Sequence, residues 1–82
     1  MEFYLKDDFI KLGQLLKAAS LVENGADAKF EIQSGKVKVN GEVELQRGKK
    51  LVKGDKVSYK GQEVIICKIW LFYKWLFKQM NL

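Results

Sequence analysis

The chain has 82 residues, 48% of them apolar and 30% charged, with a formal net charge of +5 and no histidine. That length fits one domain with one modest core and leaves no room for a catalytic domain beside a binding module. The charge is unevenly spread, with net values of −2 over residues 1–28, +5 over 29–60 and +2 over 61–82, which points to a phosphate backbone or an anionic membrane surface, a merely solvated surface being the plain alternative.

The N-terminus carries Glu2, Lys6, Asp7 and Asp8 without a long apolar run, unlike a signal peptide. Phe3-Tyr4-Leu5 suggests a short first strand. Asp7 or Asp8 offers an N-cap to a helix whose apolar face is Phe9, Leu12, Leu16 and Ala19. Lys11, Gln14 and Lys17 fall away from that face. Gly13 inside the helix costs about 1 kcal/mol relative to alanine, which packing explains most simply, or else the close approach of another backbone or a ligand. Asn24-Gly25 closes this helix or its following loop through residues that tolerate positive φ. A short second helix is expected from Ala26 to Ser34, with Asp27 in its first turn, Ala28 and Ile32 inward, Lys29 outward and Gly35 as its stop.

Residues 35–43 then alternate valine and lysine with the period of a half-buried strand, and Asn40-Gly41 supplies the positive-φ pair of a tight hairpin. Val37, Val39 and Val43 are expected to face the core, with Lys36 and Lys38 on the other side. The polar loop from Gln46 to Lys50 adds Arg47, Lys49 and Lys50. A rigid hairpin carrying cations beside a basic loop suits a polyanion, and nucleic acid is the leading partner. After Leu51-Val52 and the turn pair Gly54-Asp55, two further strands follow at Lys56-Val57-Ser58-Tyr59 and Glu63-Val64-Ile65-Ile66, joined through Lys60-Gly61-Gln62. The single Cys67 implies no intramolecular disulfide and no oxidising compartment, so a cytoplasmic protein is expected, with Cys67 as a small buried hydrophobe. The fold class is α+β: two N-terminal helices packed on a small antiparallel sheet of three to five strands.

The order helix, helix, hairpin, with Gly35-x-Val37-x-Val39-Asn40-Gly41 and Gly54-Asp55-x-Val57, resembles the RNA-binding domain of the small-subunit ribosomal protein S-four family, the alpha-L motif. The likeness is greatest to small stand-alone bacterial members of the YaaA/YbcJ type, through Lys11-Leu12-Gly13-Gln14-Leu15-Leu16-Lys17, Gly25-x-x-Ala28-Lys29 and Arg47-Gly48-Lys49-Lys50-Leu51. It covers roughly residues 9 to 59 and more loosely extends to 67. Two departures stand out. The Arg-Leu-Asp opening of the first helix is Lys11-Leu12-Gly13 here, and a Ser-Arg pair before the second helix is Asn24-Gly25. Together they remove an arginine and a carboxylate from the surface that the family turns to RNA.

The resemblance implies a domain over residues 1–67 that binds structured RNA, of the ribosomal or transfer class, through the phosphate backbone. It also implies that Lys11, Lys29, Lys36, Lys38, Arg47, Gly48, Lys49 and Lys50 mostly line one concave face. Gly48 lets a backbone approach a phosphate, and Arg47 offers bidentate contact or stacking on a base. Lys53, Lys56 and Lys60 border this set, and Asn40 reads as a turn residue. No exposed aromatic platform is foreseen among the cations, so recognition through shape and backbone is expected rather than base stacking.

Catalysis is not expected. There is no histidine, the lone cysteine has no imidazole partner, and neither metal-ligand spacing nor a P-loop is present; no cofactor and no metal are implied. The extension over residues 68–82 has another texture, holding Trp70, Phe72, Tyr73, Trp75 and Phe77. Its periodicity fits a helix with Ile69, Phe72, Tyr73, Leu76 and Met80 on one stripe, or a strand; its length and its leucine and lysine content favour the helix. Three roles stay open for it: covering the sheet, self-association through Trp70, Tyr73, Trp75 and Phe77, or attachment to an anionic membrane. An adaptor working through this aromatic tail is the alternative to RNA binding.

Overall fold

The computed structural model describes residues 1–68. In chain order these form β1 (Glu2–Leu5), β2 (Ile10–Lys11), α1 (Leu12–Ala18), α2 (Gly25–Gln33), β3 (Val37–Val39), β4 (Glu42–Val43), β5 (Lys50–Leu51), β6 (Lys56–Tyr59) and β7 (Gln62–Lys68). Two helices lie with a five-stranded sheet of order β1-β7-β6-β3-β4, and β2 and β5 make a separate two-stranded ladder. The expected aromatic helix and the self-association residues Trp70, Tyr73, Trp75 and Phe77 lie outside the described residues.

The α+β architecture is the expected one, and three of the four pairings in the large sheet are antiparallel. The fourth departs from expectation: β1 runs parallel to β7, with Phe3 opposite Ile66 and Leu5 opposite Lys68. No short turn joins these two strands, so nothing forces the antiparallel geometry that a hairpin imposes. Tight turns do govern two of the three antiparallel pairings. Asn40 (φ 54°) and Gly41 (φ 86°) connect β3 to β4, and Lys60 (φ 49°) and Gly61 (φ 78°) connect β6 to β7. Positive φ at both central residues matches the twist of the flanking strands.

Alternation along the strands sends Val37, Val39, Val57, Tyr59, Val64 and Ile66 inward, where they meet Leu12, Leu15 and Leu16 of α1 and Ala28 and Ile32 of α2. Each fully buried leucine or isoleucine here contributes about 1.5–3 kcal/mol relative to exposure. No polar or charged residue is buried among the described residues. Val43 departs from its expected place in this core. Its register partner is Lys38, so both side chains leave the sheet on the outer face, and Val43 is exposed. Cys67 is half-buried rather than enclosed.

The helix starts also differ from expectation. Neither Asp7 nor Asp8 caps α1; the helix begins at Leu12, its N-cap position is Lys11, and no side chain caps it. Phe9 precedes the ladder and stays 39% exposed. Asn24 does not close α1 through positive φ. It is the N-cap of α2, at φ −149°, and its side chain accepts a hydrogen bond from the Asp27 N–H at 2.8 Å. The loop between the helices turns instead at Ser20, φ 60°.

Candidate nucleic-acid interface

The two leading N–H groups of α1 need acceptors, and with no side-chain cap the chain finds them far away in sequence. Leu12 N–H donates to the Lys49 carbonyl at 2.9 Å and Gly13 N–H to the Arg47 carbonyl at 3.0 Å. Lys49 N–H closes the loop on the Gln46 carbonyl at 3.2 Å, and the β2–β5 ladder sets Lys11 opposite Lys50. The basic loop is therefore pinned by its backbone across the start of α1, which leaves the Arg47 side chain to face outward. A Cβ on Gly13 would lie 3.6 Å from the Arg47 Cβ and carbonyl, an ordinary van der Waals distance.

Between the loop, α1 and the start of α2 lies an open hollow of about 320 Å³, lined by Lys11, Gly13, Gln14, Lys17, Gly25, Ala28, Arg47 and Gly48. Its three charged side chains are all cations, and among the described residues none of them is in a salt bridge. A Cβ at Gly25 or at Gly48 would meet no atom within 4 Å. The backbone at Gly25 and Gly48 thus stands open beside three cations that are in no salt bridge, and these charges favour anionic oxygens.

Of the residues singled out from the sequence, Lys11, Arg47 and Gly48 share this hollow. Lys29 is exposed on α2, four residues from Gly25 and so on the same helix face. Lys50 leaves the β2–β5 ladder on the same side as its partner Lys11, with its Nζ 4.8 Å from the centre of the Phe9 ring. The remaining three do not join them. Lys36 and Lys38 line a separate hollow with Ser58, Tyr59, Lys60 and Gly61, and Lys36 is engaged by Glu31 at 3.4 Å. The Tyr59 hydroxyl, and after it the Glu31 carboxylate, push the Lys60 ammonium above the ordinary lysine range. Lys49 lines a third depression among Glu42, Glu44 and Asp55, which offset its charge.

Lys17 and Gln14 were not singled out as site residues from the sequence. Their signal was the Lys11, Gln14, Lys17 stripe opposite the apolar face of α1. Asn40 holds the structural role expected of it: its side chain accepts from Lys56 N–H at 3.0 Å and donates to Asp55 Oδ1 at 3.1 Å. Phe9 differs from expectation, since an exposed aromatic ring does stand against one of the cations.

Among the described residues no group of histidine, cysteine or acidic side chains could hold a metal ion, and no helix is long and apolar enough to cross a membrane.

The family model described as S4 domain matches residues 3–67. The chain is 42% identical over 59 residues to the protein of Escherichia coli K12 named "Putative RNA-binding protein YbcJ", covering 72% of this chain and 84% of that one. It is 41% identical over 54 residues to the protein of Bacillus subtilis 168 named "Probable ribosome maturation protein RlbA", covering 66% of this chain and 76% of the relative. The solution structure of YbcJ from E. coli, described as revealing an alfaL motif involved in RNA-binding, superposes with a TM-score of 0.63 at 40% identity, over 80% of this chain and 85% of that one.

Proposed function

Because this chain belongs to the S4 domain family, we propose that it is a non-catalytic, cytoplasmic RNA-binding module that holds structured RNA by its phosphate backbone. Residues 1–67 make up the module, and 68–82 are an extension to it. The similarity to proteins named for RNA binding and ribosome maturation supports the reading and favours ribosomal RNA or its precursors over transfer RNA.

One observation carries the proposal: Lys11, Lys17 and Arg47 converge with the open backbone at Gly25 and Gly48 on a hollow whose lining contains no carboxylate. A cationic hollow of this kind engages phosphates whatever the base sequence, and Arg47 adds a planar fork that fits two oxygens at once. Lys29 and Lys50 flank the hollow and extend the track along the RNA strand. Lys36, Lys38 and Lys49 contribute long-range attraction.

A mobility-shift titration of the full chain against a hairpin RNA, a single-stranded RNA and a DNA duplex tests the proposal. The hairpin should bind most tightly. Equal affinity for all three, or binding to none, would overturn it.

A further inference from the structure

A second hollow, of about 610 Å³, adjoins the cationic one. Its size falls within the range of about 300–1,000 Å³ typical of small-molecule sites. Phe3, Phe9 and Ile10 give it an apolar wall, and Gln14 and Lys17 line both hollows. The two therefore adjoin along the outward stripe of α1. We infer that the apolar hollow receives an unpaired base of the RNA whose phosphates occupy the cationic one. The inference rests on the RNA-binding reading above and adds to it a preference for RNA that carries an unstacked nucleotide.

Three features favour a nucleobase as the occupant. The Phe9 ring is 39% exposed and held beside the Lys50 ammonium, so an aromatic face and a phosphate-binding charge stand together. Successive phosphates and bases along a strand present the same juxtaposition. Gln14 sits where the hollows meet, and its side-chain amide makes no hydrogen bond among the described residues. An amide offers both a donor and an acceptor, which matches the paired donors and acceptors along a base edge. Continuity with the cationic hollow supplies the third feature. A fully apolar ligand would leave the Gln14 amide and the Lys17 ammonium without partners, whereas a nucleotide offers a base edge to the first and a phosphate to the second; the lining also holds Lys6 and Asp7, where only a donor on the base could meet the Asp7 carboxylate.

Bases inside a paired stem are stacked on one another and cannot enter this hollow. The protein thus distinguishes a stem interrupted by a bulge or loop from a continuous one, although both offer the same phosphates.

The test uses the full chain and two hairpin RNAs that differ by one unpaired uridine in the stem. The bulged hairpin should bind about five- to hundredfold more tightly, the range expected for stacking of one base on an aromatic side chain. Phe9→Ala should abolish that difference while the continuous hairpin still binds, and Phe9→Trp should preserve it. Photo-crosslinking of the parent protein to RNA with 5-iodouridine at the unpaired position gives a readout independent of any variant. The adduct should fall in the tryptic peptide covering residues 7–11, which contains Phe9. Equal affinity for the two hairpins, or an adduct confined to residues 12–68, would overturn the inference while leaving the RNA-binding reading standing. Failure to bind either hairpin would overturn both.

Discussion

The Gly13 N–H donates to the Arg47 carbonyl at 3.0 Å, and this one hydrogen bond ties the first turn of α1 to a loop more than thirty residues away. With its neighbour from Leu12 to Lys49 it does the work of a helix cap. Because the loop contributes main-chain oxygen, its arginine side chain is left to line the hollow.

Neutralising that hollow should weaken binding and flatten its salt dependence. For Lys11→Gln, Lys17→Gln and Arg47→Gln combined, the slope of log affinity against log salt should become shallower by about 2 to 3, at roughly 0.7–0.9 for each phosphate that is no longer neutralised. Lys36→Gln, Lys38→Gln and Lys60→Gln remove the same charge elsewhere and should change the slope by less than about 1. Filter-binding titrations at several salt concentrations separate the two sets, and equal effects would show that overall charge alone governs binding.

Gly48 separates binding from folding. Nothing lies within 4 Å of a Cβ at this position and its φ is not positive. Gly48→Val should therefore shift unfolding free energy by no more than about 0.5 kcal/mol. It should nevertheless weaken RNA binding, since the branched side chain would stand where a phosphate approaches. Urea denaturation beside a mobility shift measures both.

Gly13→Ala should stabilise the domain, by up to about 1 kcal/mol, the ordinary helix-propensity difference. Its Cβ would meet Arg47 at 3.6 Å, an ordinary van der Waals distance. A larger residue there would push the loop away, so Gly13→Leu should lose stability and RNA affinity together in the same two assays.

The turn at Asn40 combines positive φ with two side-chain hydrogen bonds, one to Asp55 and one from Lys56. Asp55 in turn accepts from Val52 N–H at 2.9 Å. Asn40→Ala loses both bonds and adds the left-handed penalty, for a cost of about 2–3 kcal/mol. Asn40→Gly loses the bonds alone and should cost about 1 kcal/mol less. Equal midpoints in chemical denaturation would show the backbone relaxing away from this conformation.

At the α2 start, Asn24→Ala should cost about 1 kcal/mol by removing the oxygen that receives the Asp27 N–H. Asn24→Asp should keep the cap. Thermal unfolding of the pair decides between a capping role and a purely loop role for this residue.

Sequence reading succeeded where structure is local. The inward pair Ala28 and Ile32, the stop at Gly35 and the turn at Asn40-Gly41 all follow from spacing within a few residues. It failed where distant segments decide. Asp7 and Asp8 have the chemistry of a cap, yet the loop carbonyls of Arg47 and Lys49 take that role. Val43 carries the valine alternation onward, but the two-residue turn sets it opposite Lys38 and turns it outward. In the same way, the charges on Lys11 and Arg47 were visible, while their meeting with Lys17 depends on how the loop lies across α1. Lys49, near Arg47 in sequence, ends up among carboxylates instead.

The parallel pairing of β1 with β7 also sets an order of assembly. Leu5 is almost wholly enclosed in the finished fold, but its strand pairs only with residues 65–68. As the polypeptide leaves the ribosome, this first-made segment waits for nearly the whole domain to be synthesised before its neighbour exists. Both helices and the β3–β4 hairpin lie between these two strands in the chain, so β1 can join the described sheet only once β7 has been made.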